Sequence, residues 1–419
     1  HNMTIGKAVM SLSRRDLPQS QIRRAVIADA AMFFFMGFAS SSWVSRLPAV
    51  RDSLNLSPTQ IGAMLLIGSI GSLVALPSSG PVVGAIGPRM SGRLAGALWA
   101  MGLGCVVASI HVGSLDLLSL SLIFVSMGMS LTGSTINTAG GLIEVALGHP
   151  ILDRFHAMFS IGTVTGALSG AAMARAAVHV TYHLLGVIVF GLTCVAVATA
   201  FLLTEDDVLA QSVSDGAPKR RRIFGIGGST ARTRKAWGEK RTLLIGLMVL
   251  SSGLLEGSAN NWLALAMVDG YDMTAAQGSA VLSGFLATVV VVRLSAAWLR
   301  RHWPPDVLLR GMLIAACPGL VLVGFAPVWG IAMIGVVLWA FGAALVYPTG
   351  ASALSHDPSM TAARLSVLST INYGAFLIGP PVLGLLASHI GYHRALTCLV
   401  VPVAVGAWLT RYLRPESDS

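Results

Sequence analysis

The sequence predicts an all-α polytopic membrane protein with twelve transmembrane helices in two pseudo-symmetric six-helix bundles. Three observations predict it. Of 419 residues, 54% are hydrophobic and 11% charged, where a soluble domain carries about 25% charged residues. The mean hydropathy is +0.74, and the apolar residues fall in blocks of about 20, the length that crosses a ~30 Å hydrocarbon core as a helix. Landmarks of the first half also recur in the second at a near-constant spacing.

Taken in chain order, residues 1–24 form a basic N-terminal segment with Lys7, Arg14, Arg15, Arg23 and Arg24. The first bundle, 25–203, holds spans at 25–45, 58–79, 93–112, 117–141, 157–178 and 184–203. Residues 204–241 form a polar linker, with room for a surface helix, that carries Lys219, Arg220, Arg221, Arg222, Arg232, Arg234, Lys235, Lys240 and Arg241. The second bundle, 242–412, holds spans at 242–264, 275–299, 307–326, 328–352, 365–387 and 394–412, before a tail at 413–419. Arg89 and Arg93 follow helix 2, and Arg300 and Arg301 follow helix 8. The opposite side has little beyond Arg46, Arg51, Arg175 and Arg394. By the positive-inside pattern both termini are expected in the cytoplasm of a bacterial inner membrane. The net charge of +10 then reflects topology, and nucleic-acid binding is not expected.

The repeat rests on particular residues. Ser57-Pro58-Thr59-Gln60 precedes helix 2 and Thr274-Ala275-Ala276-Gln277 precedes helix 8, each with the pattern of a capping box. Gly162, Gly166 and Gly170 in helix 5 are echoed by Gly374, Gly379 and Gly384 in helix 11. A duplicated six-helix unit in parallel orientation explains both. Glycines four apart also permit close helix approach, and Pro380-Pro381 is expected to kink helix 11.

Several classes are excluded. Cys105, Cys194, Cys317 and Cys398 each sit in an apolar block without metal-ligand spacing, so reduced thiols are expected and no metal site. The linker's Gly225-Ile226-Gly227-Gly228-Ser229-Thr230 stretch has no Gly-Lys-Ser/Thr closure and no preceding strand, so it is not a phosphate loop. No paired acid/base motif or nucleophile elbow supports an enzyme.

Two six-helix halves around a basic central loop resemble the major facilitator superfamily over nearly the whole chain. Within it the sequence is similar to the YbjJ-like and MosC-like branch, the latter linked to transport of rhizopine, an inositol-amine. The likeness is carried by Ser42-Trp43-Val44-Ser45-Arg46-Leu47-Pro48-Ala49-Val50, Ile151-Leu152-Asp153-Arg154-Phe155-His156-Ala157-Met158-Phe159-Ser160, Glu256-Gly257-Ser258-Ala259-Asn260-Asn261-Trp262 and Gly379-Pro380-Pro381. The superfamily's helix 2–3 pattern Gly-x-x-x-Asp-Arg-x-Gly is altered, with Gly84 in place of the acid and Ala85 in place of the base. Asn261 stands where relatives often carry an acid. The resemblance implies rocking of two halves about a central site, with helices 1, 4, 7 and 10 lining it, and a monomer.

Costly polar groups on those helices are the candidates. Glu256 lies near the midplane of helix 7, where an ionised carboxylate costs roughly 2.5–3.5 kcal/mol on insertion scales. It is read as the proton-coupling residue or a solute acceptor, against a packing ion pair. Asp29, at the start of helix 1, is read as a second proton site, against an acid that the helix dipole favours. Asn260, one turn after Glu256, and Asn261 are candidate solute contacts, as are Asn137, Tyr347, Asn372 and Tyr373; each could equally make an interhelical bond. Trp43 and Trp262 offer a stacking face or belong to an aromatic belt. Glu144, Arg154 and His156, with Asp153, are read as a cytoplasmic charge network or gate. Arg293 either snorkels to the interface or pairs with an acid, Glu144 or Asp29 being candidates.

The functional reading is a secondary transporter of a small polar solute, sugar-, polyol- or amino-sugar-like. It would work by alternating access, driven by the proton gradient, with lipid as its surroundings and no cofactor. A proton-driven multidrug or metabolite exporter and a non-transporting membrane sensor are the alternatives.

Overall fold

The computed structural model describes residues 17–148, 151–204, 206–208, 229–354 and 360–414. The Gly-rich stretch 225–228 and most of the basic linker lie outside them. Among the described residues there is no strand, and eleven helices are long and apolar enough to span a membrane. One of these, Pro58–Val112, contains two spans, because Gly87 breaks it with φ 74° and ψ 165°. A side chain is strained at such a φ and glycine is not. Pro88 then opens the next helix with its φ already fixed.

The spans are α1 (Gln19–Ser45), α2 (58–86), α3 (88–112), α4 (Leu115–Leu147), α5 (Leu152–Arg175) and α6 (Val180–Thr199), then α7 (Lys240–Gly270), α8 (Ala275–Leu294), α9 (Pro305–Phe325), α10 (Trp329–Ala353), α11 (Thr361–Ile390) and α12 (Tyr392–Leu413). The expected loop over 80–92 is corrected: apart from Gly87 it is helical. Hydropathy marks only the length immersed in hydrocarbon, while backbone hydrogen bonding continues past it. α11 runs as one helix through Pro380 and Pro381.

The internal repeat is structural. Ser57 and Gln60 close one capping box and Thr274 and Gln277 the other, with the Gln side chain accepting the cap N–H at 2.8 Å in both. Within the first half α5 packs on α1, and within the second α11 packs on α7; between the halves α5 meets α8 and α2 meets α11. Glycine makes these approaches possible. A Cβ at Gly162 or Gly166 would run into the backbone of Phe34 or Phe38 on α1. Across the halves, a Cβ at Gly62 would lie 2.7 Å from the Pro380 carbonyl oxygen, and one at Gly384 would lie 2.7 Å from that of Pro58.

The outer helices repeat a fastening. Arg93 on α3 donates to Thr199 of α6, and Arg310 on α9 donates to Thr410 of α12, both at 3.3 Å. Beside each lies an ion pair of opposite polarity: Arg89 with Asp207 at 3.2 Å, and Asp306 with Arg414 at 2.9 Å. Among the described residues, polar links join the halves at one end, the end that the charge pattern assigns to the periplasm. Ser279 Oγ donates to the Ser45 carbonyl at 2.6 Å, and Arg51 pairs with Asp269 at 2.5 Å.

The linker does contain a helix, Ser229–Gly238, and Ala236 packs with Met360, Ala363 and Val367 at the start of α11. Glu239 next to it receives Arg364 at 2.7 and 3.0 Å. Those hydrogen bonds hold its carboxyl below the usual range. The four cysteines are free thiols.

Candidate solute and proton site

The backbone of α7 is α-helical from Lys240 to Ser258, then widens into a π-helical turn at Ala259–Leu263. Such turns are rare and frequent at functional sites. This one carries Asn260, Asn261 and Trp262. Asn260 Nδ2 donates to the Glu256 carbonyl at 2.9 Å, and Asn261 Nδ2 donates to the Gly257 carbonyl at 3.0 Å. Each amide oxygen is thereby left to accept from another group.

Opposite stands a broken helix. Pro348 has no N–H for the carbonyl four residues earlier, that of Ala344, and its ring crowds that carbonyl. α10 accordingly loses its helical pattern at Ala344 and Leu345 and resumes at Val346. The freed carbonyls are taken from other helices. Arg293 Nε on α8 donates to Ala344 at 3.0 Å, and Ser252 Oγ on α7 donates to Ala343 at 3.3 Å. The guanidinium of Arg293 also pairs with the Glu256 carboxylate. One arginine therefore ties α7, α8 and α10 together. Its expected partners, Glu144 and Asp29, are corrected to Glu256. Contacts between groups 37 residues apart have no local sequence signal.

Glu256 and Arg293 are not sealed in: their side chains remain 30% and 35% exposed. An ion pair facing hydrocarbon is costly, so this exposure marks a polar cleft. On α11, next to α7, the Asn372 amide oxygen is buried without a partner and faces Gly253, whose Cβ, if present, would be 2.6 Å away. Tyr347 shares a hydrogen bond with Ser369 at 2.9 Å, and Tyr373 is exposed. In the first half, Asn137 on α4 is also exposed, with its Nδ2 donating to the Gly133 carbonyl at 2.7 Å. Trp43 and Trp262 are buried, the latter 5.7 Å from the Tyr392 ring.

Asp29 occupies a separate place. α1 starts at Gln19, so Asp29 is in the helix interior rather than the first turn, and the dipole reading is corrected. It is fully buried, and neither carboxyl oxygen has a hydrogen-bond partner. The absence of a side chain at Gly140 on α4 makes its room: a Cβ there would lie 3.1 Å from Asp29 Oδ2 and press on Leu152 and Phe155 of α5. Glu144, expected in a cytoplasmic charge network or gate, binds backbone here. Its Oε1 accepts the N–H groups of Ile151 and Leu152 at 2.7 and 2.9 Å, which caps the start of α5. Arg154 is exposed, and His156 meets the Phe33 ring edge-on at 5.1 Å.

Sequence reasoning missed Pro348, although a proline inside an apolar block was a readable sign of a broken helix. It also missed Ser252, for which no such sign exists.

Comparison with known proteins bears on the whole arrangement. The model of the Major Facilitator Superfamily matches residues 29–363. An uncharacterized transporter of Sinorhizobium fredii is 26% identical over 387 residues, covering 89% of this chain and 96% of its own. The membrane protein MosC of Rhizobium meliloti is 21% identical over 386 residues, covering 90% and 86%. The nucleoside transporter NupG superposes with a TM-score of 0.71 at 13% identity, covering 92% and 97%.

Proposed function

Because this chain belongs to the major facilitator superfamily of transporters, we propose that it moves a small polar, hydroxyl- or amine-bearing solute by alternating access coupled to protons. The observation that carries this reading is the Glu256–Arg293 pair, about a third exposed and set beside the amides of Asn260 and Asn261 on a π-helical turn. Carboxylate and amide oxygens accept from hydroxyls or amines, while guanidinium and amide N–H groups donate to ring or hydroxyl oxygens. A sugar, polyol or amino-sugar meets that mixture. A lipophilic cation does not use the donors.

The coupling role falls to Asp29 and Glu256. An isolated buried carboxylate is expensive unless it is paired or takes up a proton, and Asp29 has no pair. Exchange of its proton when the halves rock would tie the gradient to the conformational change. The setting is a bacterial inner membrane with a single chain as the working unit.

The test is thermal stability of the purified protein against sugars, polyols, amino-sugars and lipophilic cations at acidic and neutral pH. A binder of the folded state raises the midpoint by mass action. Expected is a shift with a polyol or amino-sugar that Glu256→Gln or Asn260→Ala removes. A shift with lipophilic cations alone would replace this reading with an exporter. Asp29→Asn in proteoliposomes should keep counterflow and lose uphill, pH-driven uptake; unchanged uphill uptake would remove Asp29 from the coupling.

A further inference from the structure

A cavity lies away from the Glu256–Arg293 pair, on the outer side of the second half. Its volume is about 500 Å³, and its lining comes from α9 and α12. Its mouth is set by Arg310 and Arg411, and its walls continue along Ile314, Cys317, Ala404 and Trp408. On each helix the step from the arginine to the deepest wall residue is seven residues, from Arg310 to Cys317 and from Arg411 to Ala404. That is about 10 Å of helix, so the cavity has a cationic rim and an apolar depth. Ile314 and Trp408 are 56% and 58% exposed. Apolar side chains this open on membrane-spanning helices face hydrocarbon.

The rim is built rather than incidental. Arg411 Cζ lies over the Trp408 ring, 3.6 Å from its centroid, with an Nη donating to the Tyr412 hydroxyl at 3.2 Å. Arg310 spends only its Nε on Thr410, leaving the other N–H groups free to point at a ligand. Among the described residues the one acid beside the rim, Asp306, is already paired with Arg414. The place therefore carries net positive charge next to hydrocarbon.

The first half has a smaller cavity of different make-up. Arg93 is bound to Thr199 as Arg310 is to Thr410, and beside that fastening a cavity of about 320 Å³ is lined by Arg24, Arg89 and Phe201. Arg24 sits 6.0 Å from the Phe201 ring centroid. Most of that lining comes from the start of α1, and Arg89 is already paired with Asp207, so the smaller cavity is not a copy of the α9–α12 groove.

We propose that the α9–α12 groove binds an anionic phospholipid, with the phosphate at Arg310 and Arg411 and one acyl chain along Ile314 and Ala404. Charge complementarity selects the headgroup, and the apolar depth selects a lipid over a free anion.

Full-length protein in detergent micelles is titrated with phosphatidylglycerol, phosphatidylcholine or inorganic phosphate, and bound adducts are counted by native mass spectrometry. Phosphatidylglycerol is expected to be retained in preference to phosphatidylcholine. Arg411→Gln should weaken retention about fivefold, the effect of one arginine near the membrane surface. Ala404→Trp, which fills the apolar depth at an exposed position without touching charge, should also weaken it. Equal retention of the two lipids would overturn the proposal. So would phosphatidylglycerol binding untouched by both variants, or its displacement by inorganic phosphate.

Discussion

Arg293→Met keeps most of the length of the side chain and removes its guanidinium. Two groups then lose their donor: the Glu256 carboxylate on α7 and the Ala344 carbonyl that Pro348 frees on α10. A hydrogen bond to a charged group contributes about 1.5–3 kcal/mol and a neutral one about 1 kcal/mol. Because Glu256 and Arg293 are about a third exposed, water takes up part of the first loss. The expected cost of Arg293→Met is therefore about 2–3 kcal/mol, and that of Glu256→Gln, which retains an acceptor, about 1 kcal/mol. The double variant leaves no unpaired charge. It should be less destabilised than the sum of the singles by about 1–2 kcal/mol. The assay is equilibrium unfolding in mixed micelles titrated with dodecyl sulfate, on all four proteins of the cycle. Additivity within about 0.5 kcal/mol would refute an energetic link between the two side chains.

Three other outcomes follow from the same packing. Pro348→Ala returns an N–H to the Ala344 carbonyl; solute counterflow should slow while the unfolding midpoint holds or rises, and unchanged counterflow would deny the broken helix a role. Gly166→Leu drives a side chain into the Phe38 backbone on α1 and should cost at least about 1–3 kcal/mol in the same titration, whereas a wild-type midpoint would contradict the close α1–α5 approach. Arg364 holds the Glu239 carboxyl below its ordinary 4.5. The stability this adds is present above that value and lost as pH falls through the folded one, so Glu239→Gln should flatten the acid limb of a stability–pH curve, and an unaltered limb would rule the pair out as its source.

What could be read from the sequence was what short patterns encode. Apolar blocks, the two capping boxes and the Gly162/Gly166 spacing depend on neighbours within a turn or two, and each has its structural counterpart. Glu256 and Asn260 could be placed on one face for the same reason. The π-helical turn could not, because it is a shift in backbone bonding that Ala259–Leu263 carries without a composition of its own. Nor could the company each charge keeps. Arg293 reaches Glu256 across two helices, and Asp29 is buried because Gly140, on a different helix, leaves room for it.

The reversed ion pairs at the ends of the outer helices bear on how the chain assembles. The two halves are copies, so the segment leaving α6 could in principle dock where the segment leaving α12 belongs. In that exchange Arg414 would be set against Arg89, and Asp207 against Asp306. Repulsion would replace attraction at both places. The inverted polarity thus favours each bundle's own trailing segment over its copy, a distinction that a perfectly faithful duplication would lack.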